Sequence, residues 1–207
     1  MRTAWWILVT VAGCGIAGGI AHFPGSFPVG SGTQTEVSPS AGVFGLVMGT
    51  ILALPLGVGQ WRLLRHSTGI GIRWIFATAF GVGLMHAVAD SLPAASAWGL
   101  AGAADGWVAV GAIGGLLIGA LQTLAARGRV LAWTWIATNA FAWPIGIALG
   151  LWLADAAGLM TQSGPDAWTQ QHLLVGLVAG LVAGTLTAPL LARSRPLVPA
   201  GAPAFSE

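Results

Sequence analysis

His86 and Asp90 stand four residues apart in an apolar stretch, the spacing that puts two side chains on one face of a helix. A carboxylate in that position can orient an imidazole, as it does for metal-bound histidines. The pair therefore suits a metal, or the central ion of haem or of a chlorophyll-type pigment. The plainer reading is two polar tips solvated near the end of a membrane span. His22 and His172 fall near the same boundary. No H-x-x-x-H, H-E-x-x-H or C-x-x-C-H spacing accompanies them, so spacing itself specifies no metal.

A second set of polar residues recurs. Gly49, Ala53 and Gly57 are followed by Gln60; Gly111, Gly115 and Gly119 by Gln122; Gly176, Gly180 and Gly184 by Thr187. The shared pattern is G-x3-[GA]-x3-G-x2-[QT], with copies 62 and then 65 residues apart. Thr10, Thr78 and Thr138 lie at comparable depth in the neighbouring apolar stretches, and Asn139 is the most deeply placed amide. Amides and hydroxyls surrounded by hydrocarbon need partners. They form either interhelical hydrogen bonds or a ring that takes a neutral solute or a lipid headgroup. Small residues at period four let helices approach closely, as in a glycine zipper, or leave room for a flat cofactor or another subunit.

The elements that carry these residues follow from composition. Of 207 residues, 56% are hydrophobic and 7% charged, with 32 Gly, 11 Trp and no Lys or Tyr. A soluble surface needs about a quarter charged residues, so the chain belongs in a bilayer. Eight scattered Arg make no nucleic-acid-binding patch, and one cysteine excludes a disulfide scaffold.

The charges alternate by sign along the chain. Arg2 precedes Glu36; Arg62, Arg65 and Arg73 precede Asp90 and Asp105; Arg127 and Arg129 precede Asp155 and Asp166; Arg193 and Arg195 follow. Apolar windows separate the groups. A crossing helix needs about 20 apolar residues, which predicts six spans near 4–22, 42–62, 72–92, 107–126, 130–154 and 171–192. Arginine marks cytoplasmic loops, which places both termini in the cytoplasm and the chain in a bacterial inner membrane. The single polytopic domain covers 1–193, and 194–207 reads as a disordered tail.

Cys14 has two readings. It is either the lipidated residue of a cleaved leader or a buried thiol in the first span. The apolar run continues to Ile20, which favours the thiol. Pro55, Pro144 and Pro189 should kink their helices. Trp61, Trp74, Trp107 and Trp168 fall where interfacial belts are expected.

The alternate helices also repeat, with Trp6-Ile7 before Thr10, Trp74-Ile75 before Thr78 and Trp135-Ile136 before Thr138. The expected fold is an all-α, six-helix bundle of three two-helix units around an axis along the membrane normal. The first helix pairs with the sixth, the second with the third, and the fourth with the fifth. The segment Gly57-x-x-Gln60-Trp61-x-x-Leu64-Arg65, followed by Trp74-Ile75, resembles a group of small multi-pass membrane proteins of bacteria with GC-rich genomes. The resemblance covers roughly residues 45–155 and implies membrane location and the repeat, but no activity.

No charged residue lies at the centre of a span, whereas ion-coupled transporters, proton pumps and voltage sensors ordinarily need one. No nucleophile has a base and an orienting group beside it. The leading expectation is a non-enzymatic scaffold or accessory subunit of a larger membrane complex, with lipids and other membrane subunits as partners. A channel or carrier for a small neutral solute is the first alternative, and a pigment- or haem-binding subunit is the second.

Overall fold

The fold is described from a computed structural model, which describes residues 2–21, 39–91, 103–128, 130–161 and 165–193. His22, the side chains of Asp90 and Trp168, residues 23–38 and the 194–207 tail lie outside the described residues.

The protein is all-helical, with six α-helices: α1 (Arg2–Ala21), α2 (Pro39–Thr68), α3 (Arg73–Ser91), α4 (Ala103–Ala126), α5 (Ala132–Ala156) and α6 (Pro165–Ala192). A short 3-10 turn, Leu159–Thr161, joins the last two. Four helices start earlier than their apolar windows: α1 at Arg2, α2 at Pro39, α4 at Ala103 and α6 at Pro165. Proline suits a first helical turn, where no intrahelical partner awaits its missing N–H. Asp166 in the first turn of α6 complements the helix dipole. The hydropathy boundary marks where hydrocarbon begins, not where the helix does.

Length and hydropathy select four membrane spans, Gly42–Thr68, Gly106–Ala126, Ala132–Ala156 and Thr169–Leu191, where six were expected. The apolar parts of α1 and α3, Thr3–Gly19 and Arg73–Ala89, are shorter. At 1.5 Å per residue, the 19 residues of α3 reach about 28 Å, close to the thickness of the hydrocarbon. The protein is a multi-pass membrane protein.

Each helix packs antiparallel on its neighbours in sequence, and α6 returns to α1, closing a ring. The most extensive interfaces are α2–α3, α1–α6 and α4–α5. At one end of the ring, α2 turns into α3 through Gly69 (φ 64°), whose N–H donates to the Arg65 carbonyl at 3.1 Å. Arg127 (φ 50°) and Gly128 (φ 77°) turn α4 into α5 at the same end. Arg62, Arg65, Arg73, Arg127 and Arg193 are exposed there, and Asp155 and Asp166 are exposed at the opposite end. Helix assignment runs unbroken through Pro55, Pro144 and Pro189.

Large apolar side chains point outward from every helix, among them Trp5, Val47, Phe76, Leu124, Phe141 and Leu181. Helices that are apolar on all sides suit a bilayer. Attraction between such helices comes from close packing, because lipid is as apolar as leucine. The glycines set the distance. A Cβ on Gly57 would lie 2.7 Å from the Ile75 carbonyl oxygen, one on Gly119 2.9 Å from Ile136 Cα, and one on Gly184 3.1 Å from Ile7 Cα. One turn along, Gly115 meets the Asn139 carbonyl, Gly180 lies 2.7 Å from the Thr10 carbonyl, and Ala53 is fully buried.

Leucine at Gly57 or Gly180 should therefore lower unfolding stability in detergent by about 2 kcal/mol or more, since overpacking must push two backbones apart. Gly71, where a Cβ would meet nothing within 4 Å, supplies the control. Gly71→Ala should stay within about 0.5 kcal/mol of wild type. Denaturation of the three variants in titrated SDS measures the difference.

Candidate functional site

The core divides into two apolar clusters. One, toward the arginine end, contains Trp6, Leu64, Ile70, Trp74, Ala126, Val130, Trp135 and Ala188. The other, toward the aspartate end, contains Cys14, Ala53, Leu56, Val82, Ile118, Trp143 and Ile147 among others. The buried polar residues Thr10, Gln60, Thr78, Gln122, Asn139 and Thr187 form a layer associated with both.

These side chains bond to one another. Trp135 Nε1 donates to Gln122 Oε1 at 2.9 Å, and Gln122 Nε2 donates to Thr78 Oγ1 at 2.9 Å. The Thr78 hydroxyl donates to Gln60 Oε1 at 3.4 Å, and Gln60 Nε2 donates to Thr10 Oγ1 at 3.3 Å. Gln122 Nε2 also reaches Gln60 Oε1 at 3.4 Å. The Thr10 hydroxyl donates to the Trp6 carbonyl at 2.9 Å. Trp6 Nε1 donates to Thr187 Oγ1 at 2.9 Å, and that hydroxyl donates to the Ala183 carbonyl at 2.6 Å. The chain of bonds thus touches all six helices in turn.

Three of these bonds are of one kind. Trp6, Trp74 and Trp135 each donate an indole N–H to the polar residue that ends a G-x3-[GA]-x3-G run: Thr187, Gln60 (3.2 Å) and Gln122. The three rings also meet edge-to-face, with centroids 5.7–6.5 Å apart and interplanar angles of 62–67°. That geometry sets the positive edge of one ring against the negative face of the next, and each pair adds about 0.5–1.5 kcal/mol beyond burial. Trp6, Trp74 and Trp135 are almost wholly buried.

Several residues occupy places other than those expected. Trp74 is no interfacial anchor: it is 0% exposed and part of the tryptophan cluster. Trp61 is half-buried and carries the Arg65 guanidinium 4.9 Å over its ring, which suits the end of a span. Thr138 lies outside the layer, half-buried on another face of α5. Asn139 takes the position instead, four residues after Trp135 as Thr10 follows Trp6 and Thr78 follows Trp74. Its Nδ2 donates to the Trp135 carbonyl at 2.9 Å, as the Thr10 hydroxyl does to that of Trp6. The underlying pattern is W-I-x-x-[TN], and matching hydroxyls to hydroxyls picked the wrong residue in the third copy.

The free space inside the layer is about 20 Å³, enough for one water molecule. A larger cavity opens in the other half of the bundle. It is about 100 Å³, and its walls include Cys14, Leu56, Met85, His86, Trp107, Trp143, Gln171 and His172. His86 thus faces a cavity, and His172 stands across it with its ring edge-on to Trp107 at 6.2 Å between centroids. The pairing of His86 with Asp90 lies outside the described residues. The space is smaller than the roughly 150 Å³ cavity known to hold one benzene, so a four-ring haem or chlorophyll-type macrocycle does not fit. Among the described residues, no three His, Cys, Asp or Glu side chains come together to hold a metal. The Cys14 thiol is free and buried in the cavity wall.

The chain matches no known protein family, no characterised protein and no solved structure. Its chemistry rests on its own residues.

Gln60→Leu should strip the acceptor from Trp74 and Thr78 together and cost about 1–3 kcal/mol, the penalty for orphaning a buried donor. A double-mutant cycle on Gln122→Leu and Trp135→Phe should return a coupling of about 0.6–1.7 kcal/mol. Unfolding of the four proteins in mixed micelles gives the value, and additive losses would break the claimed bond.

Proposed function

We propose that this protein is a non-enzymatic scaffold or accessory subunit of a larger membrane complex, built as three pseudo-repeated two-helix units. The observation that carries this reading is that the groups of the polar layer are taken up by hydrogen bonds within the bundle. Gln60, Gln122, Thr187, Thr10, Thr78 and Asn139 all make hydrogen bonds that hold helices or helical turns in place. The space left between them suits a single water. A carrier for a neutral solute would need those amides and hydroxyls free to replace the solute's hydration shell. Here their release would orphan buried indole N–H groups at about 1–3 kcal/mol each.

The threefold reading is supported by the equivalent tryptophan bonds and by the glycine contacts of Gly57, Gly119 and Gly184 with Ile75, Ile136 and Ile7. All six helices crossing, with both termini in the cytoplasm of a bacterial cell, accords with the segregation of exposed Arg and Asp to opposite ends. Glycine zippers on α2, α4 and α6 then act as the spines of the three units, and the outward apolar faces are left for lipid and neighbouring subunits.

Extraction of the protein from its native membrane in a mild detergent should yield an assembly larger than the chain with its detergent belt. Cross-linking and mass spectrometry would then name membrane-protein neighbours. A lone monomer would sink the accessory-subunit reading. In proteoliposomes the wild-type chain should pass glycerol and urea no faster than empty vesicles do in stopped-flow light scattering. Saturable flux that disappears in Gln60→Leu would favour the carrier.

A further inference from the structure

The cavity near the aspartate end has properties that packing the helices does not require. Residues from all six helices line it, and among the described residues none of those lining it is charged. Its lining is mostly apolar, with His86, His172 and Gln171 as the polar exceptions. No hydrogen bond to the His86 imidazole is found among the described residues. Trp143, only 6% exposed, contributes to the floor, and its Nε1 has no hydrogen-bond partner. A concave apolar chamber with a few polar groups is the usual form of a small-molecule site. A dry apolar cavity of roughly 150 Å³ takes up one benzene, and this one, at about 100 Å³, lies below that size.

We propose that this cavity binds an uncharged, single-ring molecule carrying a hydroxyl or carbonyl oxygen, with His86 as its hydrogen-bonding partner. Absence of charge follows from the lining, since among the described residues no charged side chain would pair with an ion there. Size follows from the volume, which at about 100 Å³ makes a single ring the upper limit, seated as flexible lining such as Met85 gives way. The oxygen follows from the imidazole, which in neutral form offers one donor and one acceptor nitrogen. Trp107 and His172, packed edge-to-face, give the chamber an aromatic wall against which a ring can pack. The proposal is independent of the accessory-subunit reading, because a scaffold and a solitary protein could each hold such a ligand.

Titration of the full chain in detergent with 4-fluorophenol and with fluorobenzene, followed by fluorine NMR, tests it. Wild type should bind both saturably, above partition into protein-free micelles, with the phenol favoured by about three- to tenfold, the value of one hydrogen bond. His86→Leu should erase that preference while leaving fluorobenzene binding within about twofold. Ala17→Phe and, separately, Val175→Phe fill the cavity from α1 and α6 and should each abolish saturable binding of both probes. Circular dichroism and gel filtration report whether each variant is folded, and either filling variant suffices. Partition indistinguishable from empty micelles, equal binding of the two probes by wild type, a preference that survives His86→Leu, or binding that survives in a folded filling variant would each overturn the proposal.

Discussion

An indole N–H in hydrocarbon has no water to fall back on, and this bundle depends on where three such groups go. Trp6, Trp74 and Trp135 are too large and too deeply buried to be moved without opening the core. Each must donate within the protein, and each finds its acceptor on the helix packed most extensively against its own: α6, α2 and α4. Net gain per bond is modest, but leaving one unmade costs more, so the bonds specify pairing more than they add stability. Alternative registers of these smooth glycine-lined helices would break them.

Packing and polarity cooperate along each pair. The glycines allow the backbones to approach until Gly57, Gly119 and Gly184 touch the isoleucine that follows each tryptophan. That approach brings the next residue but two, Gln60, Gln122 or Thr187, into reach of the indole. Glutamine in two pairs and threonine in the third also break the symmetry. The longer amides extend the bonding from α5 through α4, α3 and α2 to α1, whereas Thr187 turns back to its own helix at Ala183. The polar layer closes the middle of the ring, and the cavity beyond it is a chamber with a floor at Leu56 and Trp143.

Much of this was legible in the residues. Period-four glycines ending in Gln or Thr mark the helix faces that approach most closely, and the polar residues marked at that spacing all lie buried in one layer except Thr138. Charge sign alone predicts the two ends of the ring. What escaped was directional. Periodicity says that Trp74 is near a span end, but not whether its ring turns toward lipid or toward the axis. The same ambiguity set Thr138 beside Asn139 in the layer, because a threonine matched to threonines looks closer than an amide. The cavity was illegible for another reason: it is a void left between helices, and Trp143, Gln171 and His172 meet there across more than one helix. Helix starts at Pro39 and Pro165 were missed because hydropathy reports solvent, not backbone geometry.

Exchange of tryptophan indole protons for deuterium, followed by proton–nitrogen NMR on the protein in nanodiscs, tests the central claim most directly. If the layer is the bond that holds the helices in register, the Nε1 protons of Trp6, Trp74 and Trp135 should exchange together and last, at the rate of global opening. Trp133, exposed at the start of α5, should exchange first. Three indole protons that exchange independently, or as fast as that of Trp133, would contradict the account.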